Sequence, residues 1–340
     1  MLWIWLGFIT FVLLLLALDL GVFHRHAHVV SLRESLSWSA IWIALGLSFS
    51  GLVYVGYEQH WMGLGAVADP ADGSFNNGRE AVIKYLTGYV VEKSLSVDNV
   101  FVIAMIFAAF GIPAIYQHRV LFWGIVGALA MRGAMIGVGA ALIARFHWIL
   151  YVFGVLLVFT GLKMLFFHTQ AADPRNHWLV RIARRLIPIS DQLDGEHFTT
   201  RSAGGNLLLT PLALSLMMVE ATDLLFAVDS IPAIFAITAD PFLVFTSNVF
   251  AMLGLRSLYF ALAHLIEKFR YLKTSLAVIL LVVGGKMLAV EPLKAWLGEH
   301  FHLQLLALIV GILAAGILAS WLLPRVGWPQ RTPRPQSERS

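Results

Sequence analysis

Long apolar stretches recur from residue 2 to residue 323, separated by short polar connections. A run of about 20 apolar residues spans a bilayer, and a helix is suited to it because its backbone polar groups are satisfied internally. Nine such runs are readable, at about 2–23, 36–56, 86–110, 118–144, 147–168, 206–237, 242–265, 273–291 and 302–323. The pattern predicts an all-α fold: a polytopic membrane helical bundle with about nine transmembrane helices, the whole of 1–340 forming a single transmembrane domain. The first run lacks a basic start and carries Asp19 late, so it reads as a span and not as a cleaved signal peptide.

Composition agrees with this pattern. Hydrophobic residues make up 59% of the chain and charged residues 13%, against roughly 25% charged in soluble domains. There is no cysteine, which excludes disulfides, thiolate metal sites and c-type haem. The net charge is +4, but the placement of the bases says more. With nine spans, fifteen Lys and Arg fall in the connections on one side and four on the other. The positive-inside rule then puts the N-terminus outside and the C-terminus in the cytoplasm of a bacterial inner (plasma) membrane. On that reading 169–205 is the main cytoplasmic loop. The Pro- and Arg-rich tail at about 329–340 is expected to be disordered. The bases mark span ends, so the expected surroundings are the lipid bilayer and no nucleic acid.

An internal repeat runs through the spans. Asp98 follows Glu92 by six residues, as Asp229 follows Asp223, and both later acids sit in Val-Asp followed by a small polar residue, Asn99 or Ser230. Arg132 matches Arg256, and Lys163-Met-Leu matches Lys286-Met-Leu. The three marker pairs Asp98/Asp229, Arg132/Arg256 and Lys163/Lys286 are 131, 124 and 123 positions apart. Each unit, about 86–168 and about 206–291, holds three spans, and no span lies between them. An odd number inverts the second unit. Inverted repeats of this kind build secondary transporters whose substrate site lies near the midplane, where the repeats meet.

Eight ionisable residues fall well inside spans: Asp98, Arg132, Lys163, Glu220, Asp223, Asp229, Arg256 and Lys286. At roughly 2.5–3.5 kcal/mol each near the bilayer centre they would cost on the order of 20–28 kcal/mol if left alone. They must pair, face water or bind an ion. Counted with Glu92 the repeats balance internally, while Asp19 and Glu220 remain as acids and Lys93 as a base; a net negative interior suits a cation. Glu92, Ser96 and Asn99 share one helical face. Asp229 lies 600° round from Asp223 on a regular helix, so a break near Asp229 and Pro232 is expected to free carbonyls beside it. Carboxylate, amide and hydroxyl oxygens form a hard donor set, favouring Mg²⁺, Ca²⁺ or Mn²⁺.

Residues 92–102 (EKSLSVDNVFV), 220–238 (EATDLLFAVDSIPAIFAIT) and 247–260 (SNVFAMLGLRSLYF) resemble the signature stretches of the TerC family, and 18–34 resembles that family's opening. The resemblance runs from about Asp19 to Leu323. It implies an exporter of a divalent metal, manganese in particular; the family is also linked by name to tellurium resistance. It carries over to Glu92, Asp98, Asn99, Glu220, Asp223, Asp229 and Ser230 as metal-site residues, and less closely to Asp19, Asn248, Arg132 and Arg256. Lys163 and Lys286 join these from the repeat as counter-ions. No cofactor is expected, only a transported ion.

Simpler readings stand beside these. Asp98–Arg132 and Asp229–Arg256 could be buried ion pairs that fix packing. Asn99 and Asn248 could bond neighbouring helices. His24, His26 and His28 read as an interfacial segment, and Gly133 and Gly137 as close-packing positions. Other functions are a non-transporting scaffold in metal or tellurite stress, acting through 169–205, and an intramembrane aspartyl hydrolase. The hydrolase is disfavoured because Asp98 and Asp229 lack the GxGD context, so no enzyme is expected.

Overall fold

A computed structural model describes residues 2–21, 31–166, 174, 177–190, 192–202, 204–263, 271–290, 293 and 301–322. The His24, His26 and His28 cluster, the tail at 329–340 and part of the 169–205 loop lie outside them. The described chain is a helical bundle. Its helices are α1 (Leu2–Gly21), α2 (Leu32–Glu58), α3 (Gly78–Phe110), α4 (Ala114–Arg145) and α5 (Ile149–Phe166), then α6 (Trp178–Leu186) and α7 (Pro211–Phe235). They continue with α8 (Pro241–Met252), α9 (Leu255–Ala263), α10 (Leu272–Leu288) and α11 (Phe301–Leu322). A helix falls in each of the nine expected runs. Seven are long and apolar enough to cross a membrane, or eight if the bent pair α8–α9 is one span; α10 has 17 residues.

The expected seventh span is not one straight helix. It bends by 41° between α8 and α9. Gly254 sits in the break at φ +79°, and a Cβ there would lie 2.6 Å from Trp42 Cβ, so both backbone and space require glycine. A break leaves carbonyls at the end of α8 without helical donors. The Lys93 ammonium, on α3, supplies them, reaching Ala251 O at 3.0 Å and Leu253 O at 3.3 Å.

The break expected at Asp229–Pro232 does not occur. α7 runs through to Phe235 with Pro232 inside it. Pro232 withdraws one backbone donor, the one that would reach Val228 O a turn earlier, and the helix carries that single loss without breaking. The Lys286 ammonium caps this end by donating to Ala236 O.

Small residues bring the helices together. α5 and α10 pack antiparallel; a Cβ on Gly161 would lie 2.9 Å from Ala277 O, and one on Gly284 3.0 Å from Gly154 O. Shifting by 123 positions exchanges these two contacts. α3 lies against α7 and α8, and α4 against α7. A Cβ on Gly133 would lie 3.1 Å from the Phe245 ring, whereas one on Gly137 would meet nothing within 4 Å among the described residues, so Gly137 is not a close-packing position there. α1 and α2 close over α8 through Phe8, Phe49 and Phe250. The 169–205 loop is more than a connection: it carries α6, and β1 (Thr199–Arg201) pairs antiparallel with β2 (Leu207–Leu209) just beyond it.

Candidate functional site

The matched acids of α3 and α7 meet around one base. Arg132 on α4 is 2% exposed. It donates to both carboxylate oxygens of Asp223, Nε to Oδ2 at 3.1 Å and Nη2 to Oδ1 at 2.9 Å. Its Nη1 donates to Glu92 and, at 3.2 Å, to Ser230 Oγ. Glu92 and Asp223 are the repeat-equivalent acids, so one guanidinium from the first repeat ties both repeats together. A planar guanidinium can do this because its donors diverge in a fixed fork.

The other matched acids are held differently. Asp98, Asn99, Asp229 and Ser230 line one cavity of about 220 Å³ together with Arg132, Thr160, Lys163 and Lys273. Thr160 Oγ1 donates to Asp229 Oδ1 at 2.9 Å. Asp98 and Asp229 are half-buried, while Lys163 and Lys273 are exposed, so the cavity opens past the two lysines. That opening lies toward the end of the bundle that carries α6 and the β pair, since Lys163 is near the end of α5 and Lys273 at the start of α10. Asn99 and Phe226 also line a second, smaller void with Asp223 and Thr222, so they form a partition between the two.

Two expected pairings are replaced. Arg132 bonds Glu92 and Asp223, not Asp98. Arg256 lies 2.9 Å from Asp19 on α1, not against Asp229. The cause is helical phase: α7 stays regular, so Asp223 and Asp229 point to different neighbours. Lys286 caps α7 and stands over the Phe301 ring at 5.5 Å. The first repeat's bases are thus at the site, and those of the second are not. Glu220 lies against α4, its carboxylate filling the space a Cβ on Gly127 would need. Asn248 is buried on α8, and its amide nitrogen has no partner among the described residues. Among these residues no three His, Asp or Glu side chains converge as a ready-made metal cage. The residues that fit a cation are the cavity oxygens of Asp98, Asn99, Asp229, Ser230 and Thr160.

The opposite end of the bundle holds a polar network that the sequence reading passed over. Lys84, at the start of α3, is fully buried. Its ammonium sits among Asp69 Oδ2 and Asp72 Oδ2, both at 2.9 Å, Asn76 Oδ1 at 2.7 Å and Ser74 Oγ at 3.3 Å. Asp69 also accepts from Thr238 Oγ1 at 2.5 Å and Ala239 N at 2.8 Å, which binds the 68–76 loop to the end of α7. Tyr57 donates to Asp240 Oδ2 at 2.8 Å, and His302 Nε2 lies 2.8 Å from Asp72 Oδ2. Burial alone would raise the Asp72 carboxyl. The His302 hydrogen bond and the Lys84 ammonium outweigh burial and hold it well below the usual carboxylate range. The legible signal was the turn chemistry of Asp69-Pro-Ala-Asp72-Gly73-Ser74.

The sequence profile of the "Integral membrane protein TerC family" matches residues 77–327. The chain belongs to the TerC family. It is 49% identical over 322 residues to "Uncharacterized membrane protein STKORF319" of Myxococcus xanthus, covering 95% of this chain and 93% of that one. It is 44% identical over 312 residues to the "Putative membrane-bound redox modulator Alx" of Escherichia coli (strain K12), covering 90% and 93%. A Rickettsia felis membrane protein is 38% identical over 316 residues, covering 93% and 96%. No solved structure matches the chain. The TerC match begins at the start of α3 and ends beyond α11, so it contains the Arg132 network and the cavity, while α1 and α2 lie outside it.

Proposed function

We propose that this protein is a secondary transporter that exports a hard divalent cation, manganese in particular, across the bacterial inner membrane, with its N-terminus outside and its C-terminus in the cytoplasm. The observation that carries the reading is the joint cavity: matched residues of two matching helices, Asp98 and Asn99 with Asp229 and Ser230, line one space. The exchanged glycine contacts of α5 and α10 support the inverted repeat on which alternating access would depend. The cavity wall carries two acids, Asp98 and Asp229, and three bases, Arg132, Lys163 and Lys273; behind the wall Glu92 and Asp223 both bind Arg132, so wall and backing together hold four acids and three bases. That leaves one negative charge in excess before Glu220 is counted, which favours a cation over an anion.

In this reading the Arg132 network is the fixed hinge between repeats. The cation enters past Lys163 and Lys273 from the cytoplasm, and the Lys84 network is the closed outer end. The acids serve as ligands and not as catalysts, so the protein is not an enzyme. The redox role in the name of the Escherichia coli relative would follow from metal supply, since this chain has no cysteine for thiol exchange.

The test is uptake by proteoliposomes of the purified protein, comparing Mn²⁺, Ca²⁺, Mg²⁺ and Zn²⁺. Mn²⁺ flux that fails in Asp98→Asn and Asp229→Asn is expected. No flux of any of the four ions in either direction would remove the transporter reading.

A further inference from the structure

α6 carries three distinct faces on nine residues. Val180 and Ala183 are buried, at 2% and 5% exposure, on the side turned to the bundle, where α6 meets α7. Trp178 and Ile182, one turn apart, are exposed at 56% and 44%. Arg181 and Arg185, also one turn apart, are exposed on the neighbouring arc. The side facing away from the protein is therefore an apolar stripe running beside a cationic stripe.

A helix of this make has no reason to present Trp178 and Ile182 to water, because burying each would be favourable. Its position offers a partner. α6 follows α5 in the chain and packs on α7, whose residues from Pro211 onward form a spanning helix. The helix is thereby held near the level at which that span leaves the bilayer. Interfacial helices are built this way: an apolar face enters the acyl boundary and the flanking Arg side chains reach up to the phosphates. The Arg-rich loop also falls on the side to which the positive-inside rule assigns the cytoplasm, whose leaflet carries anionic lipid.

We propose that α6 is an interfacial binding site for anionic phospholipid headgroups, with Trp178 and Ile182 in the acyl boundary and Arg181 and Arg185 on the lipid phosphates. The bundle side is already occupied by Val180 and Ala183, so the site uses only the two outward stripes. It stands apart from the cavity and does not depend on what the protein transports.

The cysteine-free chain makes the test direct. Ile182→Cys and Gly204→Cys would each be spin-labelled in the full-length protein, in nanodiscs of phosphatidylcholine with phosphatidylglycerol. Relaxation by oxygen and by a water-soluble nickel chelate reports depth. The label at 182 is expected about 5–10 Å inside the headgroup boundary, and that at 204, on the exposed turn between the strands, in water. A label at 182 as accessible to nickel as that at 204 would overturn the proposal and leave the face to a soluble partner. A second arm measures phosphatidylglycerol binding by native mass spectrometry. Each interfacial Arg contributes about 1 kcal/mol, so Arg181→Gln with Arg185→Gln should weaken binding about 30-fold. Both positions are exposed, so this variant should fold as the parent does, with an equal melting temperature in pure phosphatidylcholine. Unchanged phosphatidylglycerol affinity, or a loss reproduced by adding inorganic phosphate, would also overturn the proposal.

Discussion

Neutralising Asp98 and neutralising Asp223 should differ in their cost to stability, although both are intramembrane acids of the matched pairs. Asp223→Asn removes the charge that accepts two hydrogen bonds from Arg132, at 3.1 and 2.9 Å. Charge-assisted bonds contribute about 1.5–3 kcal/mol each, and losing one partner of a buried pair costs roughly 3–5 kcal/mol. Glu92 and Ser230 still hold Nη1, which keeps the loss near the lower end of that range. Asp98 is in no ion pair with Arg132 and faces the cavity, so Asp98→Asn strands no buried guanidinium. Thermal unfolding of purified variants, followed by circular dichroism, should rank Asp223→Asn well below the parent and Asp98→Asn level with it. Manganese flux should be lost in both, interpretable as a ligand effect only for Asp98→Asn. Equal destabilisation of the two variants would refute the division into a structural network and a cation cavity. A stable Asp98→Asn protein with normal flux would refute the ligand role.

Lys93→Met should lower the melting temperature by releasing the Ala251 and Leu253 carbonyls at the α8–α9 break, at about 1.5–3 kcal/mol for each charged bond lost; no loss would show that water caps the break. Asp72 has a depressed carboxyl, so its contribution to stability is present above the ordinary carboxylate value of about 3.9 and is lost as pH falls below it. Melting curves across pH should show a gap between the parent and Asp72→Asn at pH 7 that closes under strong acid, and a gap independent of pH would contradict this. For orientation, single cysteines at Val67, which is 73% exposed, and at Arg185 should react with an impermeant maleimide only from outside and only from inside the cell, respectively. Labelling of both from one side would overturn the proposed topology.

The helices were readable because membrane insertion depends on length and apolarity, which the sequence displays directly. What periodicity could not show was the bend at Gly254. Residues 242–265 read as one apolar run, because a bent span is as hydrophobic as a straight one. The two features that make the bend, a glycine at φ +79° against Trp42 and a lysine from another helix on the freed carbonyls, are tertiary. The prolyl residue misled in the other direction. Pro232 forbids one helical hydrogen bond, to the carbonyl one turn before it, and α7 absorbs that single loss and runs on to Phe235.

Charge counting within each repeat did not foretell which acid each base would bind, for a reason that applies wherever two matching units face each other. Counting within each repeat assumes that a unit neutralises itself. Here the matching acids Glu92 and Asp223 come near one another and share a single base. Arg132 takes both Glu92 and Asp223, and the second repeat's Arg256 is then left to find an acid elsewhere, on α1 at Asp19. Asp19 lies before the stretch matched by the TerC profile, so an element outside that stretch completes the electrostatics of one inside it. Lys286 is likewise drawn off, to the end of α7, while its counterpart Lys163 stays at the cavity. The repeat is symmetric in sequence and asymmetric in its ion pairs. That asymmetry leaves Asp98 and Asp229 without a buried ion-pair partner among the described residues, which is what the proposed cation site requires of them.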